Sequence, residues 1–243
     1  MKYHLIPFLL GGICHAQPAV TDIGSRLELF VDRHLIERLD GAHLQLHHPQ
    51  QAGVALRFDK PWEGAFAGYV TVLKDTDRYR MYYRGLPRAG ADCTALESTC
   101  YAESPDGIAW TKPELGLFEV EGSSANNVIL KGHEPASHNF SPFLDKNPKA
   151  SPETRFKAMG GSAKGLVPFG SADGIRWRPL SKRPVLTDGV FDSQNVAFWS
   201  TTEECYVCYL RTWDSHRSVS RATSKDFLHW SKSTAMTYGN TPR

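Results

Sequence analysis

Short segments in which apolar or aromatic side chains alternate with polar ones recur along most of the chain. Three pairs of such segments are each joined by a polar turn: Gly68–Leu73 with Tyr79–Arg84, Phe140–Leu144 with Arg155–Met159, and Val196–Ser200 with Cys205–Leu210. Segments of this length and period are typical of β-strands, and such turns join antiparallel neighbours. We therefore predict three antiparallel strand pairs.

A seven-residue motif follows each of these pairs. Ser104–Trp110 reads SPDGIAW, Ser171–Trp177 reads SADGIRW, and Ser224–Trp230 reads the degraded form SKDFLHW. Glycine accepts a positive φ, and Asp and Ser side chains can bond the amides of their own turn. Tryptophan supplies a large apolar surface that packs under a hairpin. The motif predicts a turn between two strands, with its aspartates (Asp106, Asp173 and Asp226) as turn residues.

The repeating unit therefore contains four strands in antiparallel succession. A four-stranded unit that recurs about every 50 residues is typical of a β-propeller blade, and a β-sandwich with chance similarity of its turns is the alternative. We predict an all-β chain of the five-bladed β-propeller type with about three blades, at 62–130, 133–186 and 189–238, after an N-terminal segment, 26–58. Because propellers have about four to eight blades, we expect the remaining blades to be missing from this chain.

The first sixteen residues have the layout of a secretory signal peptide. Lys2 precedes an apolar run, Leu5–Cys14, and Ala16 is a suitable last residue before cleavage. A buried N-terminal strand is the alternative. The run is too short to cross a bilayer. We expect a secreted or periplasmic protein, with the partial propeller at 17–243 and no membrane span.

Composition and charge agree with a folded, turn-rich protein. The chain has 243 residues, 41% of them hydrophobic, with 20 glycines and 15 prolines. Its formal net charge of +2 argues against a nucleic-acid partner, because such proteins concentrate basic charge on one face.

The cysteines outside the signal segment fall into two close pairs. Cys93 and Cys100 bracket a polar loop and could close it with a disulfide, which an exported protein tolerates. Cys205 and Cys208 are three residues apart in a strand and therefore face opposite sides, which favours buried small side chains over a zinc pair. Without a second CxxC or a histidine pair at ligand spacing, we predict no metal and no cofactor.

The motif Ser224–Trp230 resembles the invertase-like and arabinanase-like glycosidases of glycoside hydrolase families 32 and 43. Lys60–Gly64 (KPWEG), His138–Phe143 (HNFSPF) and Phe191–Asn195 (FDSQN) extend this resemblance, which covers roughly residues 27–243. It implies a five-bladed propeller, a carbohydrate substrate and three carboxylates in a funnel on the propeller axis. Glycoside hydrolysis needs two carboxyl groups, because the leaving oxygen receives a proton while the other face of the sugar is attacked.

Acids stand at two of the three positions that the resemblance implies. Glu63 precedes the first inner strand and Asp192 the third, so both are candidate catalytic residues. A solvated turn acid for Glu63 and a turn cap for Asp192 are the alternatives. His138 and Asn139 stand where the third acid is expected. The third carboxylate is therefore not identified, and His138 could instead transfer a proton.

Polar and aromatic side chains near the same strand entrances are candidates for substrate binding. An aromatic ring can stack on a sugar, and a guanidinium can hold a substrate oxygen or carboxylate. The predicted substrate-binding residues are Trp62, Arg84, His138, Asn139, Gln194, Asn195 and Arg211.

The sequence thus predicts a secreted, glycoside-hydrolase-like propeller that hydrolyses glycosidic bonds with paired carboxylates. A non-catalytic carbohydrate-binding or scaffolding propeller is one alternative, because the third acid is absent. A polysaccharide lyase acting on acidic sugars is another, and it would depend on His138, Arg84 and Arg211.

Overall fold

The computed structural model describes residues 20–25, 27–162 and 164–237. The chain divides into two compact units, Met1–Ala52 and Gly53–Arg243. The described residues of the first unit contain no helix or strand. The predicted signal peptide at 1–16 lies outside the described residues. All strands found among the described residues lie in the second unit.

The second unit contains three four-stranded antiparallel sheets, each a meander of strands in chain order. Sheet 1 consists of β1 Gly68–Asp75, β2 Arg78–Gly85, β3 Ser98–Ser104 and β4 Val128–Leu130. Sheet 2 consists of β5 Ser141–Leu144, β6 Phe156–Ser162, β7 Gly165–Ser171 and β8 Arg178–Pro179. Sheet 3 consists of β9 Val196–Ser200, β10 Cys205–Asp214, β11 His216–Ser224 and β12 Thr234–Ala235. Short 3-10 helices span Ala136–His138 and Pro152–Thr154. The prediction of an all-β chain with three four-stranded units is confirmed.

The sheets pack face to face, with sheet 2 in the middle. Tyr82 and Tyr101 of sheet 1 pack near Trp177 of sheet 2. On its other face, sheet 2 packs Met159 against the cluster that contains Tyr206 of sheet 3. Successive residues of a strand point to opposite faces, so sheet 2 can bury apolar side chains on both of its faces. A sheet that lies between two others needs this arrangement.

The first strands of the three sheets lie next to one another, β1 beside β5 and β5 beside β9. Side chains also join sheet 1 to the turn before sheet 3. The Tyr69 hydroxyl donates to the Asp192 carbonyl at 2.9 Å, and Gln194 Nε2 donates to Thr71 Oγ1 at 2.7 Å. The inner edges of the sheets therefore converge on one region, which is where a propeller has its axis.

The three copies of the Ser-x-Asp motif make the same hydrogen bonds. In the first copy, Gly107 N donates to Ser104 Oγ at 2.8 Å, and Ile108 N donates to Asp106 Oδ1 at 2.8 Å. Trp110 Nε1 donates to the Gly107 carbonyl at 2.9 Å. The fourth position has a positive φ in every copy, including the third, where Phe227 takes φ +70° in place of glycine. The assignment of these aspartates to turns is confirmed.

Asp106 gives this turn a pH-dependent contribution to stability. Its pKa lies below the usual value because the N–H groups of Ala109 and Ile108 and the Ser104 hydroxyl donate to the carboxylate. The contribution is present above the unfolded-state pKa of about 3.9 and is lost as the pH falls through the lower folded-state pKa. We expect Asp106→Asn to lower Tm more at pH 7 than at pH 3, as measured by calorimetry. An equal difference at both pH values would contradict this account.

The four described cysteines are all free thiols. The disulfide considered for Cys93 and Cys100 is therefore not formed. Cys100 lies in β3 and packs inside sheet 1, whereas Cys93 is half-buried in the preceding loop. Cys205 and Cys208 are both buried, as their strand spacing predicts.

Polar contacts also join neighbouring sheets. Asp75, at the end of β1, pairs with Arg80 of β2 at 2.8 Å, and Arg80 NH1 donates to the Asp173 carbonyl of sheet 2 at 2.9 Å. Asp145, directly after β5, pairs with Lys157 of β6 at 2.5 Å and accepts the Tyr206 hydroxyl of sheet 3 at 2.7 Å. An aspartate at the end of one strand, paired with a cation of the next strand, thus occurs at both sheet interfaces.

Candidate functional site

An open cleft of about 450 Å³ lies where the inner edges of the sheets meet. Its residues come from β1, from β2 and the loop after it, from the 3-10 helix before β5, from the turn before β9, and from β10 and β11. The lining residues are Tyr69, Arg84, Asp92, Cys93, His138, Asp192, Ser193, Arg211 and Arg217. The structure therefore brings Arg84, His138, Asp192 and Arg211, four of the predicted site residues, into one cleft.

Tyr69 forms the aromatic wall of this cleft. It has φ +51°, and the pairing of β1 with β2 shifts between Gly68 and Thr71. An irregularity of this kind changes the direction in which a side chain points, and it is frequent beside functional sites. The Arg84 guanidinium lies 4.9 Å from the centre of the Tyr69 ring, and the His138 ring centre lies 5.3 Å away. Burial raises the pKa of Tyr69, which keeps its hydroxyl a donor.

Arg84 connects several polar groups of the cleft. Its NH1 lies 3.2 Å from Asp92 Oδ1 and 3.6 Å from Glu97 Oε1, and its NH2 donates to the Phe66 carbonyl at 3.0 Å. Asp92 and Glu97 both belong to the loop between β2 and β3. This loop thus supplies two acids to the site.

His138 pairs with a completely buried carboxylate. Its Nδ1 lies 2.7 Å from Glu97 Oε1, and Glu97 is 0% exposed. This contact fixes the orientation of the imidazole ring at the cleft wall. Cys93 lies close to the pair, and burial raises the pKa of its thiol. Cys93 is therefore a thiol at neutral pH and not an activated nucleophile.

Asp192 stands on the opposite side of the cleft, where it forms an ion pair with Arg211. The side chains of Asp192 and Asp92 are 55% and 54% exposed, so both carboxylates are accessible from the cleft. The site therefore holds two accessible carboxylates, each beside a guanidinium that stabilises its negative charge.

Buried amides hold the turn that carries Asp192. Asn139 Nδ2 donates to the Ser193 carbonyl at 2.7 Å and also to the Phe191 carbonyl, while Asn139 Oδ1 accepts from Gly161 N at 2.9 Å. Asn195 Nδ2 donates to the Ser193 carbonyl at 2.8 Å. These two residues, together with Gln194, use their side chains within the protein. These contacts position the turn that carries Asp192.

We expect Asn139→Ala to lower the free energy of unfolding by about 2–3 kcal/mol, because it leaves buried backbone groups without partners. Urea unfolding at neutral pH measures this change. Gln194→Ala is the comparison, since its amide is part-buried and joins mainly one hydroxyl. An Asn139→Ala variant as stable as Gln194→Ala would show that the turn does not depend on the Asn139 amide.

Glu63 and Trp62 lie apart from the cleft. Glu63 Oε1 accepts the Tyr83 hydroxyl at 2.5 Å and Glu63 Oε2 accepts from Lys112 Nζ at 2.7 Å, with the carboxylate completely buried. Tyr83 points to the face of β2 opposite Arg84. Trp62 packs into the core of sheet 1, and its Nε1 donates to Asn127 Oδ1 at 2.8 Å. The structure thus holds both side chains in contacts with other protein groups, outside the residues that line this cleft.

No protein-family model matches this chain, and neither does any curated protein sequence. Solved structures do match. A family 117 glycoside hydrolase from the marine bacterium Zobellia galactanivorans aligns with 76% of this chain and 51% of its own, at 15% identity and a TM-score of 0.54. A fructofuranosidase from Schwanniomyces occidentalis, complexed with fructosylnystose, aligns with 77% of this chain and 39% of its own, at 14% identity and a TM-score of 0.50.

The chain thus shares its fold, a partial β-propeller, with these solved structures. At these identities the likeness concerns the fold alone. The chain spans about half to three fifths of the length of the first solved structures that it matches.

Proposed function

We propose that this cleft binds a carbohydrate and hydrolyses its glycosidic bond. The observation that supports this most directly is the pair of accessible carboxylates, Asp92 and Asp192, at one cleft in a fold shared with glycoside hydrolases. Hydrolysis needs one carboxyl group to protonate the leaving oxygen and another to act on the opposite face of the sugar. The cleft offers both groups without Glu63.

The surroundings of each carboxylate suggest its role. Asp192 forms an ion pair with Arg211, which is 12% exposed and held in β10. A carboxylate stabilised in this way suits the part of nucleophile or base. Asp92 lies on the loop after β2, where Arg84 contacts it at 3.2 Å. The Arg84 contact favours the ionised form of Asp92. As the second accessible carboxylate, Asp92 is assigned the remaining part, proton donor to the leaving oxygen, for which it must take up a proton when the substrate displaces the Arg84 contact. Tyr69 is the aromatic surface on which a sugar ring can stack.

The cations of the cleft favour an acidic or highly hydroxylated sugar. Arg84, Arg211 and the exposed Arg217 all line it, and a guanidinium binds a carboxylate with two parallel hydrogen bonds. The same convergence of arginines with His138 favours a second candidate function, elimination of an acidic sugar by a polysaccharide lyase. Both functions use the same cleft but give different products.

The N-terminal pattern of the sequence supports export to the periplasm or beyond, where such polysaccharides are met. Among the residues that the structure describes, we find no helix that is both long and apolar enough to cross a bilayer.

The purified chain should be incubated with a panel of neutral and acidic polysaccharides, and its products measured in two ways. We expect new reducing ends without ultraviolet absorbance, as hydrolysis requires. An unsaturated product that absorbs in the ultraviolet would identify the lyase instead. Glycan binding without any product would contradict both and would favour a binding or scaffolding propeller.

A further inference from the structure

Three side chains of metal-ligand type meet on one wall of the cleft. A thiol sulfur of Cys93, a carboxylate oxygen of Glu97 and a ring nitrogen of His138 all lie within 4.8 Å of one another. Cys93 and Glu97 come from the loop between β2 and β3, and His138 ends the 3-10 helix before β5. Because His138 is 41 residues from Glu97 in sequence, the chain has no recognisable metal motif at this place.

One oxygen of the Glu97 carboxylate makes no hydrogen bond to the described residues. The carboxylate is completely buried, and this oxygen is Oε2. A buried carboxylate oxygen without a partner is uncommon, and an ion or a water at the site is one of the usual reasons. This oxygen belongs to the same carboxylate that contacts His138.

The contacts of His138 Nδ1 also compete with one another. Arg84 NH1 lies 3.2 Å from Nδ1 and can only donate, which requires a lone pair on that nitrogen. Glu97 Oε1, 2.7 Å from the same nitrogen, can only accept, which requires a proton there instead. A cation bound by His138 Nδ1 and Glu97 Oε1 satisfies both atoms at once. Arg84 retains Asp92, at 3.2 Å, as its acceptor.

We propose that Cys93, Glu97 and His138 bind one divalent cation, and that Zn²⁺ is the ion that suits them. A set of one sulfur, one nitrogen and one oxygen ligand is typical of zinc, whereas Ca²⁺ and Mg²⁺ prefer oxygen ligands only. Tetrahedral zinc, with bonds of about 2.0–2.3 Å, needs ligand atoms roughly 3.3–3.8 Å apart. The three candidate ligand atoms lie within 4.8 Å of one another, so ion binding has to adjust their separations to this spacing.

The charges at the site balance when the ion is bound. A Cys93 thiolate and the Glu97 carboxylate neutralise one divalent cation, while the neighbouring Arg84 is paired with Asp92. Three protein ligands leave the fourth zinc position open, which is the arrangement of sites that hold a water or a substrate oxygen. Cys93 and His138 both line the cleft, so this position is reached from solvent. The proposal does not rest on the proposed hydrolysis, since ion binding is measured without substrate.

The test uses the full chain, treated with a chelator and then titrated with Zn²⁺ and, separately, with Co²⁺. We expect one equivalent of Zn²⁺ by calorimetry and by elemental analysis after dialysis. Co²⁺ should give a thiolate-to-cobalt charge-transfer band in the near ultraviolet. Cys93→Ser should abolish this band, and His138→Gln and Glu97→Gln should each weaken Zn²⁺ binding at least tenfold. Cys205→Ser, which removes a buried thiol outside the cleft, should leave the band unchanged.

A second measurement uses only the wild-type chain, so it does not depend on whether the variants fold. In the wild-type chain, Zn²⁺ should slow alkylation of Cys93 at least tenfold, as followed by peptide mass spectrometry. A cobalt band that persists in Cys93→Ser would place the thiolate ligand elsewhere and overturn the proposal. So would loss of all zinc on dialysis, or an alkylation rate of Cys93 that Zn²⁺ does not change.

Discussion

Asp192→Asn is expected to lower kcat about a thousandfold on whichever glycan the chain hydrolyses, with the fold unchanged. The amide has nearly the same shape as the carboxylate but neither attacks the sugar nor accepts a proton, and such groups contribute about 10²–10⁴-fold to the rate. The variant removes the negative charge beside Arg211 and leaves the Asn139 and Asn195 hydrogen bonds to the turn in place, because these reach backbone carbonyls. Steady-state kinetics of released reducing ends measures the effect.

Asp77→Asn is the matched control, since it makes the same chemical change in the exposed turn between β1 and β2. It should leave kcat within about twofold of the wild type. Asp92→Asn should also lower kcat, but activity should partly return with substrates whose leaving group needs no protonation. Wild-type turnover in a folded Asp192→Asn variant would remove Asp192 from the mechanism.

The repeated hairpin made the architecture predictable from the sequence. The serine and aspartate of the motif bond the amides of their own turn, so the motif has the same structure wherever it occurs. The structure of such a turn can be predicted from the local sequence because it does not depend on distant residues. The third copy keeps the same turn with Phe227 at the glycine position, and its ring is packed into the core between sheets 2 and 3.

The site was predictable only in part, because it depends on what distant residues do to one another. The entrance to an inner strand predicted both Asp192, which lines the cleft, and Glu63, which does not. Sequence position could not show that Tyr83 and Lys112 enclose the Glu63 carboxylate on the other face of the sheet. Glu97 was not predicted because the segment between Cys93 and Cys100 was interpreted as a loop that a disulfide could close, and Asp92, directly before Cys93, does not stand at the entrance to an inner strand. Tyr69 reaches the cleft through a backbone irregularity that no residue pattern predicts.

The hairpin motif also lies beside the contacts between neighbouring sheets. Arg80 of sheet 1 lies 5.1 Å from the centre of the Phe156 ring, and Lys157 of sheet 2 lies 5.7 Å from the centre of the Tyr206 ring. Phe156 pairs with Ser171 and Tyr206 with Ser224, the first residues of two hairpin motifs. A cation of one sheet therefore stacks on the aromatic residue beside the motif of the next. The two sheet interfaces thus share the same kind of contact.

Asp145→Asn should destabilise the protein by about 3–5 kcal/mol, the range for breaking one partner of a buried ion pair. The Asp145 side chain is completely buried, and the Lys157 side chain, only 8% exposed, would keep its positive charge without a carboxylate. The Tyr206 hydroxyl would lose its charged acceptor across the interface of sheets 2 and 3. Urea unfolding followed by tryptophan fluorescence measures the free energy of unfolding.

Glu203→Gln provides the comparison, because it removes a carboxylate from an ion pair with Arg221 that is half exposed. Solvent-exposed pairs contribute about 0–1 kcal/mol, so this variant should stay close to the wild type. If Asp145→Asn also falls within about 1 kcal/mol of the wild type, Lys157 must lose its proton or reach solvent at little cost. The acid–base pairs between sheets would then be incidental, and the apolar clusters alone would hold the sheets in place.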